Sequence, residues 1–184
     1  MKAKIVILML GVLLCTPVLC RATLIDWQIN SGHEYVFTGD EYNKIETFND
    51  AVLDIQGGSI WKVNAYDTST VHISGGHVST LGTPDFPSGS SPIINITGGT
   101  IDVIGPSAGV VNIYGFDFEI VNLAENSYTL KGKWETGTSF QIYMFRTLPS
   151  DPYVVLHIVP EPCTLGLLGF GMLIVRRVVK TIRE

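Results

Sequence analysis

Cysteine is nearly absent from this 184-residue chain: Cys15, Cys20 and Cys163 are the only three, and none lies between residues 21 and 162. That excludes an internal disulfide in the long middle stretch, even in an oxidising compartment. Stability there must come from packing and backbone hydrogen bonds. Basic residues are equally scarce: residues 23–158 hold 5 Lys plus Arg against 15 Asp plus Glu, a difference of −10. Such a surface repels phosphodiesters and anionic lipid head groups, which excludes nucleic acid as a partner. We read the acidic side chains as a solvated face that keeps the protein soluble, in preference to weak calcium sites. Also missing is an apolar run of full membrane length. The run at 163–175 has 13 residues, roughly 20 Å of helix at about 1.5 Å per residue, against a hydrocarbon core of about 30 Å.

The amino terminus carries the other apolar run. Lys2 and Lys4 precede residues 5–14, and Cys20-Arg21-Ala22 then places small residues where a signal peptidase reads. Residues 1–22 are expected to be a secretory signal helix, cleaved after Ala22, with Cys20 as the second choice. Cys15 and Cys20 each follow leucine, where a lipobox wants a small residue, which argues against lipidation.

The carboxyl-terminal run is framed by Pro160-Glu161-Pro162 and by Arg176, Arg177 and Lys180. Each proline removes a backbone donor and pushes the residue before it toward extended geometry, so the tripeptide is an exposed break before a helix. Leu165, Leu167, Leu168, Phe170, Leu173, Ile174 and Val175 form the membrane segment, and the basic tail keeps its far end cytoplasmic. So short a span suits a temporary stop during export better than a lasting anchor. Over residues 159–180 this order of parts resembles the PEP-CTERM protein-sorting signal of bacteria, with Cys163 standing where that family usually has Ala or Ser. The resemblance implies export across the inner membrane and a transient single-pass membrane form. It implies two processing partners, signal peptidase and an exosortase, the membrane transpeptidase that removes the tail. The mature protein would then reside at the cell surface or in the extracellular matrix.

Between the two signals a short pattern recurs. Leu53-Asp54-Ile55-Gln56-Gly57-Gly58, Val71-His72-Ile73-Ser74-Gly75-Gly76, Ile94-Asn95-Ile96-Thr97-Gly98-Gly99 and Val111-Asn112-Ile113-Tyr114-Gly115 each alternate apolar with polar and end on glycine. From Gly57 to Gly75, Gly98 and Gly115 the steps are 18, 23 and 17 residues. That period fits one coil of a parallel β-solenoid. Alternation puts Leu53, Ile55, Val71, Ile73, Ile94, Ile96, Val111 and Ile113 inside, with Asp54, His72, Asn95 and Asn112 outside. Gly-Gly is expected to supply the positive φ of a tight corner. Asn49-Asp50, Asp67-Thr68-Ser69 and Pro106-Ser107-Ala108-Gly109 mark the other corners, and the longer step holds a loop over 82–92. The repeat at 64–76 resembles that of exported bacterial solenoids carrying the same tail signal, which implies architecture and not activity.

After Phe118 the pattern changes. Residues 128–134 and 138–145 alternate around Glu135-Thr136-Gly137, which predicts an antiparallel hairpin capping the open edge, and 153–158 form a final strand. The expected class is all-β: a short parallel β-solenoid of three to four rungs (23–118), a C-terminal β-hairpin cap (119–158) and the sorting signal with its transmembrane helix (159–184).

The middle of the chain offers little catalytic chemistry. Asp54, Asp67, Asp102 and Asp117 are the carboxylates a sugar-cleaving site would need, yet no Lys or Arg cluster accompanies them. His72 and His77 flank a corner without a third ligand, so no metal or other cofactor is assigned. Asn95-Ile96-Thr97 matches a glycosylation acceptor, but strand placement argues for chance. A Thr-x-Thr array for ice binding occurs once, at Thr68 and Thr70, and is not repeated. The expected function is that of a non-catalytic exported surface or matrix protein. The alternative is a carbohydrate-binding or carbohydrate-cleaving module meeting extracellular polysaccharide on an outward face, where Trp61, Tyr66 and Tyr114 would offer rings for stacking.

Overall fold

The computed structural model describes residues 25–85, 89–124, 127–145 and 153–160. The leader with Ala22 lies outside the described residues. So do Glu161, Pro162, the membrane segment from Leu165 to Val175, and Arg176, Arg177 and Lys180. The described chain is all-β, with thirteen strands, and no described residue is helical.

Successive strands alternate between two ladders. β1 (Ile25–Ile29), β3 (Glu41–Thr47), β5 (Ser59–Ala65), β7 (His77–Thr83) and β9 (Thr100–Pro106) pair in that order, all parallel. β2 (His33–Val36), β4 (Val52–Ile55), β6 (Thr70–Ile73), β8 (Ile93–Ile96) and β10 (Val110–Ala124) form the second parallel ladder. β11 (Ser127–Lys133) and β12 (Ser139–Phe145) make an antiparallel hairpin. β12 runs parallel to β9 and β11 antiparallel to β10, so the hairpin joins both ladders into one bent sheet. β13 (Val154–Ile158) pairs in parallel with the first half of β10. β10 crosses Phe118 without a break, so repeat and hairpin share a strand. The sheet path ends at β1 and β2.

Alternation explains the second ladder. Leu53, Ile55, Val71, Ile73, Ile94, Ile96, Val111 and Ile113 are all buried in one core cluster with residues of the first ladder. Branched side chains suit this pleated, interior face. The first ladder departs from strict alternation: Ile60 and Val63 are buried while Trp61 and Lys62 both lie on the outside. Pairing skips Asn43 with Trp61, Trp61 with Ser79 and Ser79 with Asp102, so each of these strands bends at one position. Two neighbouring outward side chains result, and one of them is Trp61.

Backbone hydrogen bonds carry the stacking through the corners, from Gln56 N to Val36 O (2.9 Å), Ser74 N to Ile55 O (2.9 Å) and Thr97 N to Ile73 O (2.8 Å). The Gly-Gly corners differ in one respect from expectation. Only the second glycine has positive φ, 75° at Gly76. The first is required by close stacking, because a Cβ at Gly75 would press on the carbonyl oxygen of Gln56 in the layer below. At the opposite corners Asn49 and Asp67 both adopt φ of 52°, a left-handed conformation that Asn and Asp tolerate. Asn49 N donates to Asp67 Oδ2 (2.9 Å) and its side-chain amide to Asn30 O (2.9 Å). Phe48 and Tyr66 stack at 4.8 Å beside this corner, as their 18-residue spacing predicts.

β1 and β2 form a further layer that the repeat pattern did not include. Trp27, Ile45 and Val63 are successive partners at the same 18-residue step. The corner here is Phe37-Thr38-Gly39-Asp40, with one glycine and one residue more than the others, which hid it.

Candidate functional site

The bend in the first ladder builds a groove from three adjacent strands. Glu41 and Tyr42 come from β3, Ser59 and Trp61 from β5, and His77 and Ser79 from β7. Together they line a shallow space of about 210 Å³. Trp61 is 63% exposed, the large ring most open to solvent among the described residues. The His77 ring lies 2.9 Å from Asp102, which holds it against the ladder. Tyr42 stacks on Trp27 at 5.3 Å. Burial, then the charges of Asp40 and Glu34, raise its phenol above the ordinary value, so it stays a neutral hydrogen-bonding group.

A second polar row runs up the outside of the other ladder. The Asn95 amide meets His72 Nδ1 (3.3 Å), Asn112 Nδ2 donates to Asn95 Oδ1 (2.9 Å), and His157 Nε2 lies 3.0 Å from Asn112 Oδ1. His33 and Asp54 are 2.6 Å apart. These side chains satisfy one another between layers, so the row staples the ladder and offers few free groups to a ligand. None of the four pairs needs a metal, and no group of three potential ligands occurs among the described residues.

The three aromatic residues singled out in sequence do not share a face. Tyr114 lies on the second ladder, stacked on His157 at 4.4 Å. Tyr66 packs at a corner on Phe48, with its hydroxyl 3.4 Å from Glu46. Trp61 alone projects into solvent. Alternation alone does not separate these fates; the strand bend and the corner do.

Tyr66 belongs to a carboxylate cluster. Glu46 is 9% exposed and accepts from Gln28 (3.1 Å), while Lys44 lies 3.2 Å away and Asn64 at 3.5 Å. Burial alone would raise its carboxyl. The hydrogen bonds from Gln28 and Lys44, the Lys44 charge and the Asn64 amide outweigh that and lower it below 4.5. A folded value below the unfolded one stabilises above the unfolded value, and the contribution is lost as pH falls through the folded value. Replacing Glu46 with alanine is therefore expected to cost about 1–3 kcal/mol at neutral pH, leaving the Gln28 amide without its acceptor and Lys44 without its nearer carboxylate. In urea unfolding that difference should shrink below the ordinary value of 4.5; a pH-independent difference would contradict the assignment.

The carboxylates considered for sugar cleavage are dispersed. Asp54 pairs with His33, Asp67 caps the Asn49 backbone, Asp102 holds His77, and Asp117 sits at a bulge in β10 with φ of 54° and Lys133 at 2.6 Å. A wider groove of about 510 Å³ adjoins that bulge, lined by Asp117, Lys131, Lys133, Ser139, Phe140 and Gln141. The Asp117–Lys133 ion pair occupies two of its charged groups, and Lys131 is the third.

Sequence reasoning found Trp61 and weighed His77 only as a metal ligand, and it missed the rest of the groove. The signal was present: Glu41, Ser59 and His77 stand at 18-residue steps, as do Asn43, Trp61 and Ser79. Comparison with family models, with curated proteins and with solved structures finds no match to this chain.

Proposed function

We propose that this chain is a non-catalytic surface or extracellular-matrix protein, exported by its leader and sorted by a PEP-CTERM signal that an exosortase processes. Its body is read as a short parallel β-solenoid with a hairpin cap. Two parallel ladders with an 18-residue partner step support that architecture, and the separately engaged carboxylates support a body without catalysis. One observation carries the sorting proposal. Among the described residues the last backbone tie runs from Val159 N to Gly115 O (2.8 Å), and Pro160, the next residue, is exposed. Pro160, the first residue of the motif, thus lies outside the described sheet, and a membrane enzyme can reach it without unfolding β13.

Glu161 belongs to the motif and lies outside the described residues, so unaltered thermal unfolding of its variant is the check that the sheet is intact. In cells containing an exosortase, Glu161→Ala is expected to accumulate as the unprocessed full-length form in the membrane fraction, while the unaltered chain is shortened. Equal processing of both, read by immunoblot of membrane and extracellular fractions, would refute the sorting role of the motif.

A further inference from the structure

We propose that the Trp61 groove holds one sugar unit of an amino-bearing polysaccharide, with the sugar's apolar face on the indole and its ammonium group beside Glu41 and the His77–Asp102 pair. Trp61 lies in the middle of the ladder, between β3 and β7, so its exposure is not the fraying of an edge strand. It is 63% exposed, and neither its ring nor its N–H has a partner among the described residues. A flat ring left in water at the floor of a groove is the surface on which the C–H face of a pyranose stacks.

The rest of the lining selects the chemical class. Glu41 and the adjacent Asp102 are acidic, Ser59, Ser79 and Tyr42 are neutral hydrogen-bonding groups, and no Lys or Arg lines the groove itself, Lys62 lying outside it next to Trp61. The difference of −10 over residues 23–158 adds a long-range field of the same sign. An ammonium-bearing sugar is attracted to such a site, while uronate or sulfated chains are repelled. A volume of about 210 Å³ lies below the roughly 300–1,000 Å³ of a drug-sized pocket, which suits a single unit of a chain running past the surface. This proposal goes beyond the sorting role and does not depend on it, since the groove binds or fails to bind whether or not the tail is removed.

The test is isothermal titration of the full chain, extracted in mild detergent, with an oligomer of glucosamine. Oligomers of N-acetylglucosamine and of galacturonic acid serve as comparison. The glucosamine oligomer is expected to bind, the N-acetylated one more weakly and the galacturonate not at all. Trp61→Ala should weaken glucosamine binding at least about tenfold, and Trp61→Phe should retain most of it. Glu41→Gln should weaken the glucosamine oligomer about three- to tenfold and leave the N-acetylated one unchanged. Both positions are at the surface, and unaltered thermal unfolding of the variants checks that the fold persists. The proposal is overturned if the glucosamine oligomer does not bind, or if its binding survives Trp61→Ala. It is equally overturned if Glu41→Gln has no selective effect, or if either comparison oligomer binds as tightly.

Discussion

Replacing Gly76 with alanine is expected to destabilise the protein by about 2–5 kcal/mol, because two independent costs meet at that one residue. A left-handed conformation, here with φ of 75°, costs an L-residue about 1–2 kcal/mol. The new methyl would also press on the carbonyl group of Gly57 in the layer below, and overpacking of a close contact costs about 1–3 kcal/mol. Two other glycines separate these terms. Gly39 has φ of 97° and open space around a would-be Cβ, so alanine there should show the conformational cost alone. Gly75 lacks the positive φ but stacks as closely, so alanine there should show the packing cost alone. Urea unfolding of the three variants should rank Gly76→Ala lowest in stability. If it lies within about 0.5 kcal/mol of the unaltered protein, the range of a neutral surface change, the layers are not stacked as described.

Trp134→Ala should be comparably damaging, at about 3–5 kcal/mol. Trp134 is only 3% exposed, stacks on Phe140 at 4.0 Å and donates its indole N–H to Gly99 O (3.1 Å). Gly99 is the corner of the layer that precedes the hairpin, so one side chain ties the hairpin to the last Gly-Gly turn. Its loss opens the end of the core and strips the Gly99 carbonyl of a donor. Soluble aggregates should follow on warming, since the freed ends of β9 and β10 would present unpaired backbone groups. Trp61→Ala is the matched control: the same residue type, largely in water, and expected within about 0.5 kcal/mol of the unaltered protein. Equal destabilisation by the two substitutions would contradict the placement of Trp134 at the closed end.

The contrast between these two tryptophans marks what could be read from sequence. Apolar alternation at Leu53, Ile55, Val71 and Ile73 gives strand, face and step together, because a period of two has only two faces and the glycines fix the corners. The hairpin at 128–145 was legible for a similar reason, with Gly137 between two alternating segments. The layer of β1 and β2 was not, since a single glycine replaces the Gly-Gly pair and Trp27 stands where the other layers have a branched aliphatic residue. The groove around Trp61 was legible only in part. It depends on a bend that places two consecutive side chains outside, which a strict period of two does not encode. His77 and Asp102 sit 25 residues apart, a separation lengthened by the loop between β7 and β8, so their pairing emerges only from the register.

Pro160 lies two residues beyond β13, the last described strand, and the tail that follows is where the proposed route of export is most exposed to refutation. Intact-mass measurement of the protein outside the cell, in cells with and without the exosortase, tests it most directly. With the enzyme present, the mass should lack both the leader through Ala22 and the basic tail containing Arg176 and Arg177. Without the enzyme, the tail should remain on a membrane-held form. An extracellular protein that still contains residues 165–184 in cells with the enzyme would contradict the proposal.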